Sequence, residues 1–115
     1  AATVSNNQEL ADRIAQAGDA TGELVWQLPL DDDYRAYVKS EVADVNNIGK
    51  GRGRAAGTIA GAAFLEKFVP KDTPWAHIDI GGTGMKTEGG PYWPKGGTGW
   101  GVQLLVDFLT HLAKR

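Results

Sequence analysis

The stretch of sequence that decides the fold is Trp75-Ala76-His77-Ile78-Asp79-Ile80-Gly81-Gly82-Thr83. Its first six residues include Trp75, Ile78 and Ile80, Pro74 precedes them and two glycines follow them. This pattern predicts a β-strand over residues 75–80 that ends at a tight glycine turn. The other extended segment that the sequence predicts is short, over residues 24–28, and Pro29 ends it.

Helical periodicity lies on both sides of these two segments. Ser5, with Gln8 three residues later, resembles a capping box, and the helix that follows it should end at Gly18 or Gly22. A second, short helix is predicted after the acidic residues 31–33, because acidic side chains favour the positive end of a helix dipole.

Two further helices complete the predicted elements. Residues 54–69 are rich in alanine and glycine, which allows close approach to a neighbouring backbone, so we expect this helix to be buried. The last helix has an apolar stripe that consists of Val102, Leu105, Val106, Leu109 and Leu112.

The resulting order is helix, strand, helix, loop, helix, strand, loop, helix. This is an α/β pattern with too few strands, because one or two strands cannot form a stable parallel sheet covered on both faces. We therefore expect residues 1–115 to form part of a three-layer α/β domain, with few strands and flanking helices, whose missing strands come from elsewhere. The absence of an initiator Met before Ala1 fits this expectation, or processing of the chain.

The composition narrows the classes of function. The chain has 115 residues, of which 42% are hydrophobic and 23% are charged, as is usual for a globular protein. A net charge of −2 gives no reason to expect nucleic acid or an anionic membrane as a partner. There is no cysteine, which excludes disulfides and thiolate metal sites. No apolar run approaches the roughly 18 residues of a membrane span.

Glycine is unusually frequent towards the C-terminal end. Nine of the 16 glycines fall between Gly81 and Gly101, interleaved with Pro91, Tyr92 and Trp93. Bulky aromatic residues among glycines are typical of an ordered loop that turns tightly and lines a site.

Three patterns suggest chemistry, and each has a simpler alternative. Gly51, Gly53 and Ala56 have the spacing of a dinucleotide-binding turn, but no clear strand precedes them, so an entry into a packed helix is the better interpretation. His77 and Asp79 lie on one face of a strand and could bind a metal, or His77 is a core histidine. The acidic residues 31–33 lack the spacing of a calcium loop, and helix capping explains them more simply.

Four stretches together resemble the C-terminal end of the leucyl aminopeptidase family, also called cytosol aminopeptidases. The resemblance spans essentially the whole chain, and its most specific parts are the Asp-x-Asn-Asn-Ile-Gly segment and the Trp-Ala-His-x-Asp-Ile strand. The stretches are residues 5–30, residues 40–49, residues 60–68 with 75–83, and residues 95–109.

The resemblance implies a two-metal enzyme, with zinc, manganese or magnesium, that hydrolyses N-terminal peptide bonds. The family's metal ligands are a lysine and several carboxylates, some of them in an Asn-Thr-Asp-Ala-Glu-Gly-Arg motif that also supplies a catalytic arginine. That motif is not in this sequence. We therefore expect no catalytic residue and no metal ligand in this chain, and no activity from the chain alone.

The family's substrate pocket, by contrast, has matching positions here. The resemblance assigns Ile48, Gly81 and Gly84 to the wall around the substrate's N-terminal side chain, although a shift by one residue would make Met85 the wall instead of Gly84. The alternative is that these are a core isoleucine and turn glycines. Family members form cytoplasmic hexamers, so the expected partners are the rest of the catalytic domain, further copies and a peptide substrate. A non-catalytic structural or interaction module of the same fold is the second interpretation.

Overall fold

A computed structural model describes residues 1–49 and 56–114. Within these residues, five short strands, four helices and one 3-10 turn follow each other. In order they are β1 (Ala2–Ser5), α1 (Gln8–Thr21), β2 (Trp26–Gln27), α2 (Asp32–Arg35), the 3-10 turn Ala36–Val38, α3 (Gly57–Glu66), β3 (Ala76–Asp79), β4 (Met85–Lys86), β5 (Gly96–Gly97) and α4 (Val102–Ala113).

Strand β1 is the centre of a three-stranded sheet with the order β2-β1-β3. It runs parallel to β2 and antiparallel to β3, with Val4 opposite His77. Strands β4 and β5 form a separate antiparallel hairpin within the glycine-rich loop. The strand predicted over residues 75–80 is therefore confirmed as β3, and the segment 24–28 contains β2.

The prediction for the start of the chain was wrong. Ser5 does not cap a helix but ends β1, where its hydroxyl donates to the Trp75 carbonyl oxygen at 2.6 Å. The cap of α1 is Asn7, whose Oδ1 accepts from the backbone N–H of Leu10 at 2.8 Å. Four residues are too few to show an alternating pattern, so β1 could not be recognised before its pairing with β3 was known.

Helices cover both faces of the sheet. On one face, Ala76 and Ile78 of β3 pack against a buried cluster formed by Ile14 and Ala17 of α1 and Leu104 of α4. On the other face, the carboxylate of Asp79 hydrogen-bonds to Thr58 of α3. Residues that alternate along a strand point to opposite faces. The partial three-layer α/β arrangement is thus confirmed.

Helix α3 buries one of its faces, whereas the sequence predicted a buried helix. Ala60, Ala62 and Ala63 are among its buried residues, and the helix begins after Ala56, which has a left-handed backbone conformation with φ of 53°. Arg35 of α2 forms two hydrogen bonds to Glu66 at the other end of the helix, with distances of 2.7 Å and 2.9 Å. This bidentate pair fixes α2 on α3.

Helix α4 packs through a face other than its apolar stripe. Leu104 is fully buried, whereas the five stripe residues from Val102 to Leu112 are 45–61% exposed. The first turn of α4 begins at Gly101, and the Glu23 carboxylate caps it by accepting from the Leu104 N–H at 2.8 Å. The stripe is therefore an apolar surface that the described residues leave uncovered.

The molecule is also more extended than a compact domain of its length. The Cα radius of gyration is 15.8 Å, against about 13 Å for a compact domain of this size. In the part of the chain that is described, no helix has the length and apolar character needed to cross a membrane.

Two neighbouring leucines on α4 test this orientation. We expect Leu104→Ala to lower the free energy of unfolding by about 2–5 kcal/mol, because it leaves a cavity against α1. Leu105→Ala changes helix propensity by the same amount at a half-exposed position, and should cost less than about 1 kcal/mol. Urea unfolding of both variants measures the difference. Equal losses of unfolding free energy in the two variants would contradict the burial of Leu104 and the exposure of Leu105.

Candidate functional site

A tight turn at the end of β3 forms the candidate site. The carbonyl oxygen of Ile80 accepts hydrogen bonds from the N–H groups of Thr83 at 3.0 Å and Gly84 at 2.8 Å. Both Gly81 and Gly84 lie in this turn, which we call the 80–84 turn. Close backbone approach explains glycine at position 84, because a Cβ there would lie 3.1 Å from the Ile80 carbonyl oxygen.

The glycine-rich hairpin holds the 80–84 turn from one side. The N–H of Thr98 donates to the Gly84 carbonyl oxygen at 3.0 Å, and the Thr98 hydroxyl donates to the Thr83 carbonyl oxygen at 2.8 Å. These bonds follow directly after β5. The prediction of an ordered loop with tight turns is confirmed for this part of the chain.

Asp79 holds the same turn from the other side. Its Oδ1 accepts from the Gly81 N–H at 2.9 Å, which is the geometry of an Asx turn, and its Oδ2 accepts from the Thr58 hydroxyl at 2.5 Å. The Thr58 hydrogen bond is the largest cause that lowers the pKa of Asp79 below its usual value, followed by the hydrogen bond from the Gly81 N–H, and partial burial opposes them. The ionised carboxylate is therefore the form that this arrangement stabilises.

Ile48 lies on a different segment, and its side chain is 73% exposed. Its N–H donates to Oδ1 of Asn46 at 3.2 Å. The next residue, Gly49, packs closely on α3 and the 3-10 turn, because a Cβ there would lie 3.1 Å from the Ala60 Cβ and 3.3 Å from the Tyr37 Cβ. Gly49, next to Ile48, and Asp79, which holds the 80–84 turn, therefore both contact the first turns of α3.

An open cleft of about 380 Å³ adjoins the 80–84 turn through Gly82 and Thr83. This volume is within the usual range for small-molecule sites. Its other walls come from the end of α1, the hairpin and α4. They are Thr21, Gly22, Glu23, Lys86, Trp93, Thr98, Trp100 and Gln103. Ile48, Gly81 and Gly84 do not line this cleft, so their assignment to a pocket remains a prediction.

The sequence did not single out Thr58, whereas Trp93 of the cleft belongs to the glycine-rich loop that the sequence predicts to line a site. Thr58 and Asp79 are 21 residues apart, and only the fold brings them together. An aspartate two residues before a glycine at a strand end does indicate an Asx turn. The hydrogen bond from the Gly81 N–H to Asp79 could therefore be predicted from the sequence, whereas the one from Thr58 could not.

The structure bears on two of the three chemical interpretations of the sequence, the metal site and the acidic residues 31–33. For the metal interpretation of His77 and Asp79, both carboxylate oxygens of Asp79 already accept hydrogen bonds, from Thr58 and Gly81. Among residues 1–49 and 56–114, no group of three or more His, Asp or Glu side chains is arranged to hold a metal ion. The capping interpretation of residues 31–33 is confirmed, since Oδ1 of Asp31 accepts from the N–H groups of Asp33 and Tyr34. The dinucleotide-like spacing falls largely on residues 50–55, outside the described residues.

Comparison with known proteins gives a consistent picture. A family model described as the catalytic domain of the cytosol aminopeptidase family matches residues 1–106. A relative described as a probable cytosol aminopeptidase from Syntrophotalea carbinolica is 54% identical over 108 residues, which cover 94% of this chain and 21% of the relative. A similarly described relative from Chlorobaculum parvum is 53% identical over 105 residues, covering 91% of this chain and 20% of the relative.

A solved structure agrees with these relatives. The crystal structure of cytosol aminopeptidase from Coxiella burnetii superposes with a TM-score of 0.83 at 37% identity, over 96% of this chain and 23% of that one. The chain therefore spans about a fifth of the length of the curated relatives that it matches.

The lowered pKa of Asp79 gives a test with a definite sign. A carboxylate with a depressed folded-state pKa adds stability above the unfolded pKa of about 4, and this stability is lost as the pH falls through the folded value. We therefore expect Asp79→Asn to be less stable than the parent by about 1 kcal/mol at pH 6, with a smaller gap at pH 3.

Urea unfolding at both pH values measures this gap. Asp19→Asn removes the same charge from an exposed position on α1 and is the control, for which no comparable pH-dependent gap is expected. A gap for Asp79→Asn that is the same at pH 6 and pH 3 would contradict the assignment of an ionised, hydrogen-bonded carboxylate.

Proposed function

The chain belongs to the cytosol aminopeptidase family, and from this premise we propose that residues 1–115 are the C-terminal part of the catalytic domain of such an enzyme. The complete enzyme would release N-terminal amino acids from peptides, and this chain would supply scaffold and part of the substrate pocket. The single observation that carries the proposal is the family match over residues 1–106, at about half identity to relatives roughly five times longer.

The geometry supports a role in the pocket wall. The 80–84 turn presents nearly bare backbone at the C-terminal end of a strand, where α/β sheets bind ligands. The apolar side chain of Ile48 is exposed beside Gly49, which is packed on the same helix that holds the turn. An apolar side chain and bare backbone are suitable walls for an apolar N-terminal side chain.

The two metal ions of the reaction would be held outside this chain. The described residues do not fit a site for divalent manganese or zinc, because they contain no suitable group of three or more His, Asp or Glu. The metal ligands and catalytic groups would then lie in the rest of the catalytic domain. On this proposal the chain is inactive alone.

The uncovered surfaces support the rest of the domain as the partner. The α4 stripe is apolar and half-exposed, and in the described sheet β2 and β3 each pair with β1 on one side only. Uncovered apolar area and free strand edges are usually covered in a complete domain. The complete enzyme would be a cytoplasmic hexamer, as the family resemblance implies.

A chimera tests the proposal. Residues 1–106 of this chain replace the matching segment of the Syntrophotalea carbinolica relative, and hydrolysis of leucine p-nitroanilide is measured with manganese. We expect the chimera to retain activity within about tenfold of the unmodified relative, and the purified chain alone to show none.

Two outcomes would contradict the proposal. Turnover by the purified chain alone, free of contaminating peptidase, would show that it is a complete catalyst. A folded chimera without activity would favour the alternative of a non-catalytic module with the same fold.

The assignment of Gly84 rather than Met85 to the pocket wall is tested in the same chimera. Gly84→Ala puts a methyl group 3.1 Å from the Ile80 carbonyl oxygen, so that the turn must shift or the pocket must narrow. We expect kcat/KM for a leucine substrate to fall about tenfold and that for an alanine substrate to fall much less. Met85→Ala, at an exposed side chain, is the matched comparison and should leave the ratio nearly unchanged. If Met85→Ala changes the leucine-to-alanine ratio of kcat/KM and Gly84→Ala does not, Met85 is the wall instead of Gly84.

A further inference from the structure

We propose that Asp79 and Thr58 are positioning residues that fix the 80–84 turn on helix α3, and that their hydrogen bond sets how the pocket discriminates between N-terminal side chains. This inference rests on the proposed function, because it takes the 80–84 turn as part of the substrate pocket. It assigns a role to two residues that are not expected to touch the substrate.

The two oxygens of the Asp79 carboxylate bind to different parts of the fold. Oδ2 accepts from the hydroxyl of Thr58, in the first turn of α3, and Oδ1 accepts from the N–H of Gly81, in the 80–84 turn. Hydrogen bonds to an ionised carboxylate are short and directional. The carboxylate is therefore a rigid link between the helix and the turn, and a displacement of one moves the other.

The same carboxylate limits the space around Gly81. A Cβ at position 81 would lie 3.1 Å from Oδ1 of Asp79, closer than most Cβ contacts. With the hydrogen bond to Thr58 in place, this oxygen cannot easily move away. The position of Asp79 thus helps to decide how near the backbone of the turn can come to a ligand.

Helix α3 also supports the other predicted wall of the pocket. Gly49, next to Ile48, is packed against Ala60, which lies two residues after Thr58. The first turns of α3 therefore position both walls, one by close packing and the other through the Asp79–Thr58 hydrogen bond. Loss of this bond would let the 80–84 turn move relative to Ile48 while the packing of Gly49 remains.

A purely structural role must be distinguished from this one. Asp79 lies near the N-terminal end of α3, where a negative charge is favourable, so its loss would also lower stability. Lower stability reduces the amount of folded enzyme and lowers the activity towards all substrates by the same factor. A positioning role changes the ratio between substrates.

The experiment uses Thr58→Val, which removes the hydroxyl with little change in shape, and Thr58→Ser, which keeps it. In the chimera described above, extended to carry residues 1–115 of this chain, kcat/KM is measured for leucine and alanine p-nitroanilides. We expect Thr58→Val to change the leucine-to-alanine ratio by about fivefold or more, and Thr58→Ser to restore it to within about twofold. Thr110→Val removes a hydroxyl that bonds to the Val106 carbonyl on α4 and should leave the ratio unchanged.

A second measurement on the 115-residue chain does not depend on activity. Amide hydrogen exchange at Gly81 should be about tenfold or more faster in Thr58→Val than in the parent, because the acceptor of this N–H is no longer held, and unchanged in Thr110→Val. Unchanged exchange would overturn the mechanical link. A parent chimera that is active, with a ratio that Thr58→Val does not change, would overturn the inference alone. An inactive parent chimera would overturn the proposed function and, with it, the role in substrate discrimination.

Discussion

The pairing of β1 with both of its neighbours is the constraint on which the rest of the structure depends. β1 provides the backbone partner for β2 on one side and for β3 on the other, so segments more than 70 residues apart in the chain become adjacent. Thr3 and Val4 point to opposite faces and are both buried, so both layers of helices pack on this strand. Even the Thr3 hydroxyl contributes, since it donates to the carbonyl oxygen of His77.

The two helix layers are attached to the sheet by different kinds of interaction. On one face, α1 and α4 meet through apolar packing, and the Glu23 carboxylate fixes the first turn of α4. On the other face, α3 is attached through small residues and through the Asp79–Thr58 hydrogen bond. Apolar packing is not directional, whereas a hydrogen bond to a carboxylate has a defined geometry. The side that needs defined geometry is the one next to the proposed pocket wall.

The sequence predicted the elements whose signals are local. These elements are strand β3, the acidic cap at Asp31, the alanine-rich α3 and the end of α1, for which the sequence left Gly18 and Gly22 open and the structure has Gly22. It could not predict β1, because the identity of that strand depends on partners far along the chain. It also could not predict which face of α4 is buried. Leu104 lies outside the apolar stripe, and it is buried because the packing against α1 and the cap at Glu23 orient the helix.

The same distinction applies to the candidate site. Ile48, Gly81 and Gly84 were assigned through a family resemblance, and no pattern of charge or spacing in the chain would have selected them. Two carboxylates lie close to the 80–84 turn, Asp79 beside it and Glu23 in the adjoining cleft, and both bind groups of this chain. What the turn can offer a ligand is then mainly backbone and space. Selection at such a wall depends on shape, and shape depends on how accurately the turn is held. In the proposed pocket, a small displacement of this bare backbone would therefore change which substrate side chains fit. In a pocket lined by larger residues, a side-chain substitution has that effect.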